Sequence, residues 1–118
     1  ALNINKDHSW LEVWAIMQLE KYGYAKLNWD NIFYDSSENF EPISKALLAT
    51  RIYNINTRLY NFPFCTVPKF YRNIAIKSIS DWKQKYLENC ETCLEKRNCC
   101  GFFEWYDGSF KEIKAIKI

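Results

Sequence analysis

Four of the five cysteines in this chain fall within eleven residues, at Cys90, Cys93, Cys99 and Cys100. The fifth, Cys65, lies 25 positions before Cys90. Cys90-Glu91-Thr92-Cys93 is a C-x2-C pair, a spacing that lets two thiolates converge on one metal from a single loop. A third ligand a few residues later closes one side, and a distant fourth completes a tetrahedron or a cubane. The side chains of Cys99 and Cys100 diverge because the residues are adjacent, so Cys99 is read as the ligand and Cys100 as the alternate. Free thiols that merely cluster, or a disulfide-linked pair, are the competing readings. Metal ligation explains the crowding better and would contribute to folding, since structural zinc in finger peptides is worth on the order of 10–16 kcal/mol.

Spacing leaves the metal open. Four thiolates satisfy either zinc or an iron–sulfur cluster. Zinc sites often show two C-x2-C knuckles and this chain has one. The C-x2-C-x5-C run with a remote Cys is more at home in auxiliary cluster sites. The odd cysteine count, with no charged-then-apolar leader at the start, points to the reducing cytoplasm rather than to a disulfide framework.

A chain of 118 residues suits one small domain, for which a metal staple would add to a modest core. Hydrophobic residues make up 48% and aromatic residues 18%, enough to fill such a core. No apolar run approaches the roughly 20 residues a bilayer-spanning helix needs. The net charge of +2 argues against nucleic acid. Charge is uneven, however. Asp30, Asp35, Glu38 and Glu41 crowd one stretch; Lys69, Arg72, Lys77, Lys83 and Lys85 crowd another. These read as two solvated faces, or as a basic approach to an acidic partner or cluster.

Residues 9–22 carry helix signals: Ser9 and Glu12 as a capping box, a stop at Gly23, and Trp10, Val13, Trp14 and Met17 at helical spacing. Val13, Trp14 and Ile16 also suit a buried strand. Residues 24–39 read as a loop anchored by Trp29, Ile32, Phe33 and Tyr34. Residues 41–53 make the clearest helix, with Pro42 in its first turn, a stripe of Ile43, Ala46, Leu47 and Thr50, and Asn54 as a left-handed stop. Residues 55–61 alternate as a strand. A helical turn is expected around residues 70–74. Ser80 and Asp81 can start a helix with Trp82, Tyr86 and Leu87 on its buried face. The tail, 113–118, alternates Ile and Lys and could add an edge strand.

Several stretches together resemble one family, the radical SAM maturases of the His-Xaa-Ser peptide-modification system. They are residues 15–20 (Ala-Ile-Met-Gln-Leu-Glu), Gly23 to Ala25, Asn28 to Asp30, Tyr60 with Asn61, and Cys65. The most specific block is Ser78, Ile79, Ser80, Asp81, Trp82 and Lys83, followed by Tyr86, Leu87, Cys90, Cys93, Cys99 and Gly101 to Phe103. Order and spacing hold over roughly residues 13–103. The resemblance covers the C-terminal part of such an enzyme. It implies the last strands and helix of the SAM barrel, then a cysteine-rich extension carrying an auxiliary 4Fe-4S cluster on Cys65, Cys90, Cys93 and Cys99. The family has Gly where this chain has Cys100. The resemblance also implies that residues 10–17 are a barrel strand, against the helix signals, and that reading is followed.

The C-x3-C-x2-C loop that cleaves SAM in this family is absent from these residues. The expected chain is therefore a fragment, a split subunit or a derived domain that is not catalytic alone. It would act on a peptide substrate or with a complementary radical SAM subunit. A zinc-stabilised binding module without a catalytic role is the alternative.

The fold expectation is α/β: a partial strand–helix–strand, barrel-like unit over residues 1–64, then an irregular cysteine-rich metal-binding extension over 65–118, forming one unit. Other chemistry is sparse. His8 has no paired base or nucleophile, and no phosphate-binding glycine loop is present. Glu20 reads as a solvated carboxylate or, in a full barrel, a cofactor contact. Trp29, Trp82 and Trp105 read as core, or as the lining of a peptide groove.

Overall fold

The computed structural model describes residues 12–117. The expectations placed on His8, on Ser9 as a cap, on Trp10 and on Ile118 lie outside the described residues.

Strand β1 (Trp14–Met17) pairs in parallel with β2 (Thr57–Tyr60), Trp14 opposite Thr57 and Met17 opposite Tyr60. The ladder extends at both ends, from Trp14 N–H to the Asn56 carbonyl and from Gln18 N–H to the Tyr60 carbonyl. Trp14 and Ile16 are half-buried while Ala15 and Met17 are exposed. This period of two is what a half-buried strand shows, and cross-strand pairing overrides the helix signals in this stretch. A third strand, β3 (Ala75–Ile76), pairs in parallel with the other side of β2, giving the order β1-β2-β3. The chain is thus a mixed α/β domain built on a three-stranded parallel sheet.

The residues between β1 and the main helix form two short helices, α1 (Gly23–Leu27) and α2 (Trp29–Ile32), where a loop was expected. Of its expected anchors, Trp29 is buried and stacks on Phe33 at 4.6 Å, but Ile32 and Tyr34 are exposed. The main helix α3 (Glu41–Ile52) connects β1 to β2. Pro42 sits in its first turn, and the Asn39 side chain accepts the Glu41 N–H at 3.1 Å. Leu47 and Thr50 are its buried residues, and Asn54 ends the segment with φ +55°. A left-handed Asn is a common way to leave a helix.

Leu59, fully buried on β2, joins Leu47, Phe62, Phe64, Val67, Tyr71, Ala75 and Cys99 in the main core. A 3-10 helix (Lys69–Ile74) follows Pro68, where a helical turn was expected, and leads into β3.

Beyond β3, the helix expected from Ser80 is only a 3-10 turn (Asp81–Lys83), and Ser80 makes no side-chain cap. Trp82, expected to be buried on that helix, is 77% exposed. The chain then turns into β4 (Gln84–Lys85), which pairs antiparallel with β5 (Phe102–Phe103). This hairpin brackets the cysteine segment. Residues 113–117 form no strand; they lie as a strap against the cysteine loop, with the Leu94 N–H donating to the Ile116 carbonyl at 2.9 Å.

Candidate metal centre

The first cysteine is placed by the turn after β2. Pro63 opens a 3-10 turn (Phe64–Thr66) that carries Cys65. Thr66 hydroxyl donates to the Pro63 carbonyl, and Arg72 Nε bridges the carbonyls of Phe64 and Val67 at 3.1 and 2.9 Å. These bonds fix a segment that two prolines deprive of regular structure. A second 3-10 turn (Glu88–Thr92) carries Cys90, and Cys93 ends it. Cys99 closes the next turn, its N–H donating to the Glu95 carbonyl.

Strand β4 clamps the end of this loop. Tyr86 hydroxyl donates to the Cys99 carbonyl at 3.1 Å, and the Gln84 amide donates to the Cys100 carbonyl. Gly101 has φ +72°, and a Cβ there would stand 2.9 Å from the Lys85 carbonyl oxygen. Only glycine takes both that backbone conformation and that close approach without strain.

Cys65, Cys90, Cys93 and Cys99 line one cavity, together with Phe64, Tyr86, Phe102 and the strap residues Ile113, Lys114 and Ala115. The fold therefore brings the four expected ligands to one place from three chain segments. Cys100 does not line it; its side chain is buried in a second cluster with Ile79 and Phe103. Among the described residues, no three His, Cys, Asp or Glu side chains stand in position to hold a single metal ion, and all five cysteines are free thiols.

The sulfurs lining the cavity accept backbone N–H groups. Cys99 Sγ accepts from Phe64 at 3.2 Å and Gly101 at 3.3 Å; Cys90 Sγ accepts from Leu87 at 3.3 Å; Cys93 Sγ accepts from Ile116 at 3.4 Å. Cys99 is drawn down to about 6, chiefly because the Cys100 thiol donates to it, with the Phe64 and Gly101 N–H groups and Lys77 assisting against burial. The Cys100 thiol, which also lies 3.4 Å from the Gly101 carbonyl, is held protonated by that same hydrogen bond and by burial. Cys65 is pushed up to about 12, by burial first and then by the nearness of Cys99, with the Lys114 backbone opposing. Burial likewise raises Cys90, against the Leu87 N–H. Ionisation is thus favoured at Cys99 and opposed at Cys65 and Cys90 by burial and by the charge at Cys99. A bound cation reverses that balance, because it stabilises every thiolate facing it.

The donor set fits a thiolate-bound group: soft sulfur ligands, backbone donors aimed at them, and a shared space. The N–H donors left no trace in the sequence, because any residue except proline supplies one. Only Gly101, directly after the paired cysteines, carried a signal.

The remaining candidates stand elsewhere. Glu20 pairs with Lys83 at 3.3 Å. Trp29 is buried edge-on to Trp105, which stacks on Phe103. Trp82 is on the surface. The basic residues noted in the sequence are largely engaged within the fold, Arg72 on the Cys65 turn, Lys77 on the Arg97 carbonyl and Lys85 on the Tyr106 carbonyl. No helix among the described residues is long and apolar enough to cross a membrane. No protein-family model, curated protein or solved structure matches the chain.

Proposed function

We propose that the chain binds an iron–sulfur cluster through Cys65, Cys90, Cys93 and Cys99, and serves as the auxiliary-cluster portion of a radical SAM peptide-modifying maturase. The observation that carries the cluster is the convergence of these four thiols on one cavity. The N–H groups directed at Cys90, Cys93 and Cys99 support it, since such bonds stabilise the charge that thiolate ligands retain. Zinc requires four sulfurs at about 2.3 Å from one centre. The preference for a cluster over zinc rests on the family resemblance and on the single C-x2-C pair, where zinc sites often carry two.

The enzyme assignment rests on the family resemblance and on topology. Three parallel strands adjacent in sequence order, with α3 as the first crossover, are the arrangement of consecutive units in a β/α barrel. Cys65 follows the C-terminal end of β2, the end at which sites on parallel sheets collect. The bound cluster would supply electron transfer or substrate ligation. The chain's own residues supply the four thiolates, the hydrogen bonds that hold them and the apolar wall of Phe64 and Phe102. Radical generation would require a C-x3-C-x2-C segment from a complementary radical SAM partner or from further sequence, acting on a peptide in the cytoplasm.

Anaerobic reconstitution with iron and sulfide tests the reading. A brown protein with about four irons and four sulfides per chain is expected. A colourless product holding one zinc per chain would sink it and select a zinc-stabilised binding module instead. The enzyme assignment is tested separately, by co-purification with a radical SAM subunit and a gain in peptide modification when the loaded chain is added. No association and no gain would count against it.

A further inference from the structure

The strap formed by residues 113–117 supplies one wall of the cavity, distinct from the β2 turn, the β4–β5 hairpin and the cysteine loop. Ile113 and Ala115 line the cavity, and Ile116 packs against the main core. Three hydrogen bonds tie the strap to the cysteine loop: Ile116 N–H to Cys93 Sγ at 3.4 Å, Leu94 N–H to the Ile116 carbonyl at 2.9 Å, and the Asn89 amide to the Ile113 carbonyl at 3.3 Å. Lys114 lines the same cavity as Cys65. The strap therefore meets the cysteine loop at the Cys93 sulfur and shares the cavity wall with Cys65 from the β2 turn.

We infer that residues 113–117 are a sealing strap whose docking is coupled to loading of the thiol site, with the Ile116 N–H acting as a positioning donor to Cys93. The inference rests on the cluster-binding reading above. Among the described residues the strap is held by three hydrogen bonds and no sheet pairing, so it belongs to the weakly held part of the fold. Its N–H donor meets a sulfur, and an N–H···S bond strengthens as that sulfur gains negative charge. Loading would leave Cys93 as a metal-bound thiolate, its proton passing to solvent, and so tighten the strap; by linkage the docked strap tightens the site to the same extent. The strap also places two apolar side chains between the site and water, which slows attack by oxygen and chelators on anything held there. Because hydrogen bonds to ligand sulfurs stabilise the more negative, reduced state of a cluster, loss of the Ile116 donor lowers the reduction potential.

The test compares the full chain with Ile116→Pro, which deletes this donor together with the side chain packed on the core, and with Ile116→Ala, which loses that packing but keeps the N–H, as the control. After anaerobic reconstitution, Ile116→Pro is expected to lose its visible absorption to an iron chelator several-fold faster than wild type and to show a lower reduction potential; Ile116→Ala, which keeps the donor, is expected to retain the wild-type potential. Amide hydrogen exchange on the unmutated chain provides a second reading that does not depend on the variant folding. Loading should slow exchange at residues 113–117 by at least tenfold. Equal exchange in loaded and stripped wild type, or an Ile116→Pro site as durable and of the same potential as wild type, would overturn the strap while leaving the cluster intact. A wild-type chain that takes up no iron overturns the cluster reading itself, and the strap's coupling with it.

Discussion

The backbone N–H of Phe64 lies 3.2 Å from the sulfur of Cys99, 35 residues away in the chain. This bond ties the turn that follows the central strand to the end of the cysteine loop. It makes Cys99 the point at which the two halves of the ligand set meet, since Cys65 is the next residue after its donor. Cys99 also accepts from Gly101, while Cys100 turns into a different cluster of side chains.

The two adjacent cysteines should therefore respond differently to substitution. Cys99→Ser is expected to lose most of its iron on reconstitution, whereas Cys100→Ala is expected to retain wild-type iron and sulfide content. The latter removes a buried sulfur, so it should cost about 1–3 kcal/mol of stability from the cavity left behind. Iron analysis and urea denaturation of both variants check this. Equal iron loss from the two would show that Cys100 is a ligand.

Gly101→Ala should act through the backbone. Its φ of +72° disfavours any side chain, and the new Cβ would press on the Lys85 carbonyl at 2.9 Å. The β4–β5 hairpin cannot relax without losing the Gln84 and Tyr86 hydrogen bonds to the cysteine loop. A loss of about 1–3 kcal/mol is expected, with reduced iron uptake. Gly108, also at positive φ, has nothing near its Cβ position, so Gly108→Ala should cost less in the same denaturation experiment.

The segments that were legible before the fold was known are those whose local chemistry and tertiary role agree. In α3, Pro42, the Leu47–Thr50 stripe and Asn54 each do locally what the fold requires of them. The strand over residues 57–60 alternates because one face is packed and the other is half-open. Where the two disagree, tertiary pairing decided. Trp14 to Met17 has helical spacing but extends because β2 offers a ladder. Ser80 and Asp81 look like a helix start, yet the Gln84–Phe103 pairing pulls the chain into a hairpin after one turn. The cysteines were legible as a group by spacing. The strap was not, because its bond to Cys93 comes from a main-chain N–H that no side chain announces.

Leu59 is the sharpest test of the sheet. It is completely buried on the central strand, paired with Ile16 on one side and Ala75 on the other. Leu59→Ala is expected to cost about 2–5 kcal/mol. A loss below about 1 kcal/mol in chemical denaturation would mean that β2 is not the centre of the core. The solvent-facing Ile52, 76% exposed at the end of α3, provides the contrast: Ile52→Ala should change stability by less than about 0.5 kcal/mol.

The remaining prediction concerns pH and lies away from the cysteines. Lys21 Nζ sits 2.8 Å from Asp107, joining the segment after β1 to the loop after β5 across 86 residues. The Lys21 hydrogen bond, followed by that from Ser109, holds the Asp107 carboxyl below its ordinary range. A carboxyl depressed in the folded state contributes stability that is fully present above its unfolded value, about 3.9, and is lost as pH falls through the folded value. The pair is partly exposed to water, which screens it, so the contribution at neutral pH should be below about 1 kcal/mol. Asp107→Asn is therefore expected to be slightly less stable than wild type at pH 7. The difference should shrink steadily as pH is lowered through the acid range, where wild-type Asp107 takes up its proton. Denaturation curves for both proteins at pH 7, 5 and 3 measure this difference. A gap that stays constant over that range would show that the charge on Asp107 contributes nothing, and that any cost of the substitution comes from its contacts with Ser109.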